Sequence, residues 1–163
     1  MKNIVHVRID YRLIHGQVIT KWLKVCDANK ILIIDDELAN NDFLAMVYKM
    51  AAPTGIEVII ATSKEACKKW NEDDFYEGKI LLLFKDIKTA VTCINEGIYF
   101  PELQVGGLEN KPGKKVVHNQ ISLDQNDYYC LKEIAEKDVR VYFQTVPAEE
   151  ISDLEDVKRK LKI

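Results

Sequence analysis

Four residues capable of concerted chemistry fall within eight positions near the start of the chain: Arg8, Asp10, Arg12 and His15, in the run R-I-D-Y-R-L-I-H-G-Q-V over residues 8–18. A neutral imidazole is the side chain best suited to attack a phosphorus centre near neutral pH and later release the group. Two guanidinium groups beside it are natural clamps for phosphate oxygens. Asp10 is placed to fix the imidazole tautomer or to hold an arginine. Gly16 removes a side chain next to the histidine, where a phosphate would need close backbone approach, and N–H groups from Gly16 onward could receive it at a helix start. The chemistry suggested is a phosphoryl-carrying histidine. Residue types alone also allow a plainer reading, a solvated charged turn leading into a helix.

The elements that must position these residues are legible on either side. A β-branched run precedes the loop and an amphipathic segment, residues 18–25, follows it, giving strand, loop, helix. Further strands are predicted at 30–34, 57–61, 79–84, 103–105 and 139–144, after a first at 4–9, with a weaker one at 115–118. Helices are predicted at 17–26, 41–51, 64–71, 87–96 and 125–136. The stripe Ile151, Leu154, Val157, Leu161 predicts a last helix docked on the body. Several strands are apolar almost without alternation, as when helices cover both sheet faces. Regular β–α alternation predicts an α/β fold with a mainly parallel sheet and right-handed crossovers, a three-layer sandwich forming one domain over residues 1–163. Ligands of such sheets gather beyond the carboxyl ends of the strands, here residues 10–16, Asp35-Asp36, 86–88 and Gly106-Gly107. Asp35-Asp36 reads best as a helix cap, as do Thr62-Ser63 and Ser122. Gly106-Gly107 reads equally as a tight turn or as backbone approaching a ligand.

Composition excludes several functions. The 163 residues are 47% apolar and 30% charged, with a net charge of −3, which argues against nucleic-acid binding. No apolar run approaches the roughly 20 residues that cross a bilayer. The amino terminus enters a strand at once, so no signal peptide is expected and the location is read as cytoplasmic. Cys26, Cys67, Cys93 and Cys130 are scattered through helical segments and read as small buried hydrophobes; neither a metal site nor a cofactor is assigned. His6 reads as a packed strand residue, His118 as having no direct role, Trp22 and Trp70 as core, and Lys114-Lys115 as solvated surface.

The string D-x-R-L-I-H-G-Q-V, residues 10–18, resembles the active-site loop of the IIB subunits of the mannose/fructose/sorbose family of the bacterial sugar phosphotransferase system. The likeness continues in order along the chain, through residues 33–39, 52–56, 105–107 with 113–115, 122–124 and 139–147. Tyr11 lies where the pattern varies, and Gln104 and Leu108 flank the glycine pair where Asn and Met would be expected. The resemblance implies a protein-Nπ-phosphohistidine–sugar phosphotransferase. His15 would take a phosphoryl group from a phosphorylated IIA partner and pass it to a sugar held by membrane subunits IIC and IID, at the inner face of the membrane. In that reading Asp10 and Arg12 assist His15, and Arg12, Gly16 and Gln17 hold phosphate, with Arg8 joining them if strand alternation allows. The site is then expected to be shallow, with Leu13 and Ile14 exposed for docking. The sugar is left open, as is a homodimer. Two other readings stand beside it: a non-catalytic regulatory domain of the same fold, and a phosphohistidine phosphatase or mutase. The latter resembles an R-H-G pattern, but Ile14 stands in place of the arginine and His118 alone could serve as the second histidine.

Overall fold

The segment I-L-L-L-F at Ile80–Phe84 carries no polar residue because both of its faces are covered. Ile80, Leu82 and Phe84 point into one apolar cluster, and Leu81 and Leu83 into another. In the computed structural model, which describes residues 3–163 apart from the side chains of Gln17 and Val18, the chain runs β1 (Ile4–Asp10), α1 (Gly16–Val25), β2 (Lys30–Ile34), α2 (Asp36–Ala39), α3 (Asp42–Ala51), β3 (Glu57–Ala61) and α4 (Ser63–Asn71). It continues with β4 (Ile80–Phe84), α5 (Ile87–Asn95), β5 (Glu102–Gly107), β6 (Lys115–His118), β7 (Ile121–Leu123), α6 (Gln125–Ala135), β8 (Arg140–Phe143), β9 (Ser152–Asp153) and α7 (Leu154–Leu161).

The main sheet has the order β3-β2-β4-β1-β5-β8-β9, parallel except for β9. The larger core lies under α4, α5, α6 and α7; the smaller lies under α1 and α2, with Tyr48 of α3 packed against it. The three-layer α/β sandwich is as expected, with three additions. β7 pairs with β6 in a separate hairpin, α2 is a single turn capped by Asp35, and β9 adds an antiparallel edge strand. These pieces are too short for a periodic signal to register. The last helix accordingly begins at Leu154, and α6 is capped by Asp124 rather than by Ser122, which is buried in β7. Cys67 and Cys93 are buried as expected, whereas Cys26 and Cys130 are only half-buried.

Chain direction opens the sheet beside β1. The chain leaves β1 for α1 on the smaller core, whereas it leaves the neighbours β4 and β5 for α5 and α6 on the larger one. Loops that part to opposite faces leave a crevice at the carboxyl edge. The β1–β5 pairing is also irregular: Ile9 faces Val105, but Asp10 faces Gly107, so Gly106 is an extra residue in β5. Such a bulge re-aims the side chains around it. A Cβ at Gly106 would lie 2.0 Å from Cζ of Arg8, so the missing side chain is the space that the guanidinium fills. Gly106-Gly107 is therefore strand backbone rather than a turn, thinned at Gly106 to admit an arginine. Gly106→Ala should cost about 2–3 kcal/mol of stability in urea unfolding, because the guanidinium it would displace is buried and held by hydrogen bonds. Native-like unfolding of that variant would contradict the packing.

Candidate functional site

Asp10 ends β1 with both carboxylate oxygens buried. The chain turns at once: Leu13 N–H donates to the Asp10 carbonyl at 2.9 Å, and Arg12 N–H to Asp10 Oδ1 at 3.1 Å. A carboxylate bonded to the amide two residues on is a common way to set a tight turn. Leu13 adopts φ +54°, uncommon for a leucine, and its side chain is 1% exposed in the smaller core. Ile14 is buried beside it, so both anchor the loop from below. The expectation that these two residues would be exposed for docking is thus corrected. The anchored turn delivers His15 to the N-cap position of α1, followed by Gly16 at φ +47°. A Cβ at Gly16 would meet no atom within 4 Å, so glycine is called for there by backbone angle rather than by crowding.

Asp10 gathers three cationic or potentially cationic partners. Its Oδ2 lies 3.0 Å from His15 Nε2 and accepts from Arg8 Nη2 at 3.1 Å; its Oδ1 accepts from Arg12 Nε at 3.2 Å. Burial pushes the Asp10 carboxyl up, but the Arg8 charge and the bonds from Arg12 and His15 outweigh it and hold the pKa below the ordinary carboxylate value. An ionised carboxylate only accepts, so His15 Nε2 carries the proton and the Nδ1 lone pair faces away from Asp10. Arg12 keeps 38% of its side chain exposed. The site thus presents one free ring nitrogen and one partly free guanidinium.

Arg8 is different. It is fully buried, and each guanidinium N–H has an acceptor: Asp10 Oδ2 twice, Gln104 Oε1 at 2.6 Å, and the carbonyls of Gln144 at 3.2 Å and Thr145 at 3.0 Å. Trp22 covers it, its ring centroid 5.5 Å from Cζ. Arg8 has nothing to offer a phosphate, which corrects its assignment as a ligand; it fixes Asp10. His6 lies on the same sheet face, stacked on Trp22 and 3.0 Å from Gln104 Oε1, a packed histidine as expected. The side chain of Gln17, expected to touch phosphate, lies outside the described residues.

Beside Arg12 opens a cleft of about 630 Å³, walled by Tyr11, Gly107, Leu108, the hairpin turn Asn119-Gln120 and the Thr145-Val146 segment. The surface is therefore grooved rather than flat. Sequence reasoning misses Gln104, Gln144, Thr145 and Glu149 as parts of the site, because their partners lie far along the chain. Gln104, expected only as a departure in the wall of the site, is buried beneath it. Lys114, expected as solvated surface, instead pairs with Asp127 at 2.8 Å and is only 14% exposed. Asp35 and Asp36 do cap and brace: Asp35 accepts from Leu38 N–H, and Asp36 accepts from Ser63 N–H.

The end of α1 nearest this site is also distinctive. Among the described residues, every other helix start is capped by an Asp, Asn or Thr side chain. At α1 the residue in the capping position is His15, its side chain makes no cap bond, and the first turn holds no acidic residue. Among the described residues, no side chain caps the amides there, which suits that end to an anionic acceptor.

Comparison with known proteins places these features in one family. Residues 4–163 match the family described as the PTS system sorbose subfamily IIB component. The sorbose-specific EIIB component of Lacticaseibacillus casei is 32% identical over 147 residues, covering 90% of each chain. The crystal structure of manxB from Thermoanaerobacter tengcongensis superposes with a TM-score of 0.90 at 39% identity, over 96% of this chain and 95% of that one. The IIBSor domain of the sorbose permease from Klebsiella pneumoniae gives 0.89 at 28% identity, over 97% and 98%.

The half-buried His6 gives the scaffold a pH signature. Burial pushes its pKa below the ordinary 6.5, only partly offset by the bond to Gln104. A depressed histidine contributes stability above its unfolded pKa and loses it as pH falls through the folded value. Melting temperature should therefore drop as pH falls from 7 to 5, and His6→Gln should flatten that interval. Parallel curves for the two proteins would exclude His6 as the source.

Proposed function

This chain belongs to the sorbose-subfamily IIB components of the phosphotransferase system, and from that premise we propose that His15 carries the phosphoryl group on Nδ1. The observation that bears most weight is the 3.0 Å contact between His15 Nε2 and a buried, ionised Asp10. IIB components of this system are phosphotransferases that work with IIA and with membrane components. His15 here accepts the group from a phosphohistidine of IIA and gives it to a sugar presented by IIC and IID, on the cytoplasmic side of the membrane. Among the described residues, no helix is long and apolar enough to cross a membrane, so attachment would be through those partners.

The steps follow from the proton positions. The Nδ1 lone pair attacks phosphorus as the donor's N–P bond breaks, and the ring gains positive charge while keeping its proton on Nε2. Asp10, facing that proton, stabilises the charged ring. In onward transfer the sugar hydroxyl oxygen attacks phosphorus, the Nδ1–P bond breaks, the hydroxyl proton passes to solvent, and the neutral ring is restored. Arg12 offers its remaining N–H groups to the equatorial oxygens, and the uncapped amides at Gly16 and beyond receive the same charge from the helix side. A mutase or phosphatase needs a second free histidine. His118 is engaged at both ring nitrogens, 2.8 Å from Ser152 Oγ and 2.7 Å from Glu149 Oε1.

Incubation with phosphorylated IIA should label the native protein with an acid-labile, alkali-stable bond, and ¹⁵N NMR should place phosphorus on Nδ1. His15→Ala should take no label while melting normally. Labelling on Nε2 would defeat the tautomer argument. Failure of the native protein to accept phosphate from any IIA would favour a regulatory domain, and release of inorganic phosphate from simple esters would favour a phosphatase.

Arg12→Lys keeps the charge but loses the forked geometry. Transfer in a single turnover should slow by about 10- to 100-fold. Near-normal rates with altered salt dependence alone would reduce Arg12 to an attractor of charged partners.

A further inference from the structure

A second enclosed acid, the half-buried Glu149, lies on the connection between β8 and β9. Its Oε2 accepts from Thr145 N–H at 2.6 Å, from Val146 N–H at 3.4 Å and from the Thr145 hydroxyl. Its Oε1 lies 2.7 Å from His118 Nε2, with the two side chains 12% and 9% exposed. The two atoms are within ion-pair distance but are not aligned as a hydrogen bond, and neither has another partner among the described residues, so the contact is the one that each of them makes. His118 Nδ1 reaches Ser152 Oγ at 2.8 Å. The same connection is held again by Gln144, whose Nε2 donates to the carbonyls of Pro147 and Glu149. Burial pushes the Glu149 carboxyl up, yet the Thr145 bonds and the His118 ring hold its pKa below the ordinary value, as for a carboxylate committed to its partners.

This cluster is tied to the His15 site through Gln144, whose carbonyl accepts from Arg8, and most directly through Thr145. Thr145 C=O accepts from Arg8 Nη2 at 3.0 Å and from the Trp22 indole N–H at 3.2 Å. Glu149 grips the amide of the residue whose carbonyl grips Arg8, and Arg8 in turn fixes Asp10. His118 ends the strand that leads into Asn119-Gln120, one wall of the cleft, while Thr145-Val146 forms another.

We propose that the His118–Glu149 contact is a clasp joining two walls of the cleft, which sets Arg8, Asp10 and thereby His15 through the Thr145 carbonyl. Both are positioning residues: neither touches the phosphoryl group. The proposal rests on the phosphocarrier reading for its kinetic consequence, but not for its structural one.

The test uses Glu149→Ala and His118→Gln in the full chain, with two readouts. In the unphosphorylated protein, the Trp22 indole N–H resonance and its hydrogen exchange report the Thr145 carbonyl directly. In Glu149→Ala the resonance should shift and exchange should accelerate. Single-turnover phosphorylation of His15 by phosphorylated IIA should slow about tenfold at saturation, since small displacements at a reacting centre are costly. The apparent affinity for IIA should change by less than about twofold. His118→Gln, which retains an amide donor near Glu149, should fall between Glu149→Ala and the native protein in both readouts, and it carries the test alone if Glu149→Ala does not fold. An unmoved indole signal in a folded variant, or a rate loss confined to affinity for IIA, would overturn the clasp. A native protein that accepts no phosphate while the indole still responds would sink the phosphocarrier reading and leave the structural tie standing.

Discussion

The buried pair of Arg8 and Asp10 is the constraint around which the rest of the site is arranged. Two charges removed from water repay their desolvation only if every remaining donor and acceptor is matched. Arg8 meets that demand with Gln104 and two backbone carbonyls beyond β8; Asp10 meets it with Arg12, the Arg12 amide and His15. The demand reaches into the strands themselves. Gly106 must lack a Cβ, β5 must bulge, and β8 must end so that the two carbonyls following it reach Arg8. Removing one partner would strand a charge in the interior, so the interactions that stabilise the scaffold and those that orient His15 are the same ones.

The two faces of β1 divide the labour. Val7 and Ile9 lie in the larger core, while His6, Arg8 and Asp10 point to the opposite face, where Trp22 covers His6 and Arg8. This period-two alternation is legible in the sequence, and it suffices to set Arg8 and Asp10 two residues apart on one face, within reach of each other. The parallel sheet, its order of elements and the strand–loop–helix around His15 are likewise readable, because apolar runs and helical stripes are local signals. What escapes depends on long-range partners. The room for Arg8 comes from a glycine 98 positions later, and the clasp joins residues 31 positions apart; no local pattern encodes either. Leu13 and Ile14 mislead for a related reason: an apolar pair in a charged loop looks exposed until the turn beneath it is known to fold inward.

A carrier must hold its nucleophile still and yet leave it open to two successive partners. The loop meets these demands with different atoms. Leu13 and Ile14 sink into the smaller core, fixing the backbone, while His15 remains partly exposed at the helix start. The unfavourable φ of Leu13 is tolerable because the buried side chain leaves the turn few alternatives.

Charge placement explains why the carboxylate sits behind the ring. A carboxylate beside Nδ1 would repel the phosphoryl oxygens it was meant to help transfer. Placed against Nε2, on the far edge of the imidazole, Asp10 would instead meet the positive charge that the ring acquires in the proposed transfer to Nδ1. Arg8 and Arg12 would screen that carboxylate from a transferred group, and Arg12 alone extends past it toward solvent. The unequal fates of the two arginines follow from this geometry. One is spent inside the protein keeping Asp10 ionised and fixed, which leaves the other partly exposed at the cleft, where the proposed phosphate would meet it.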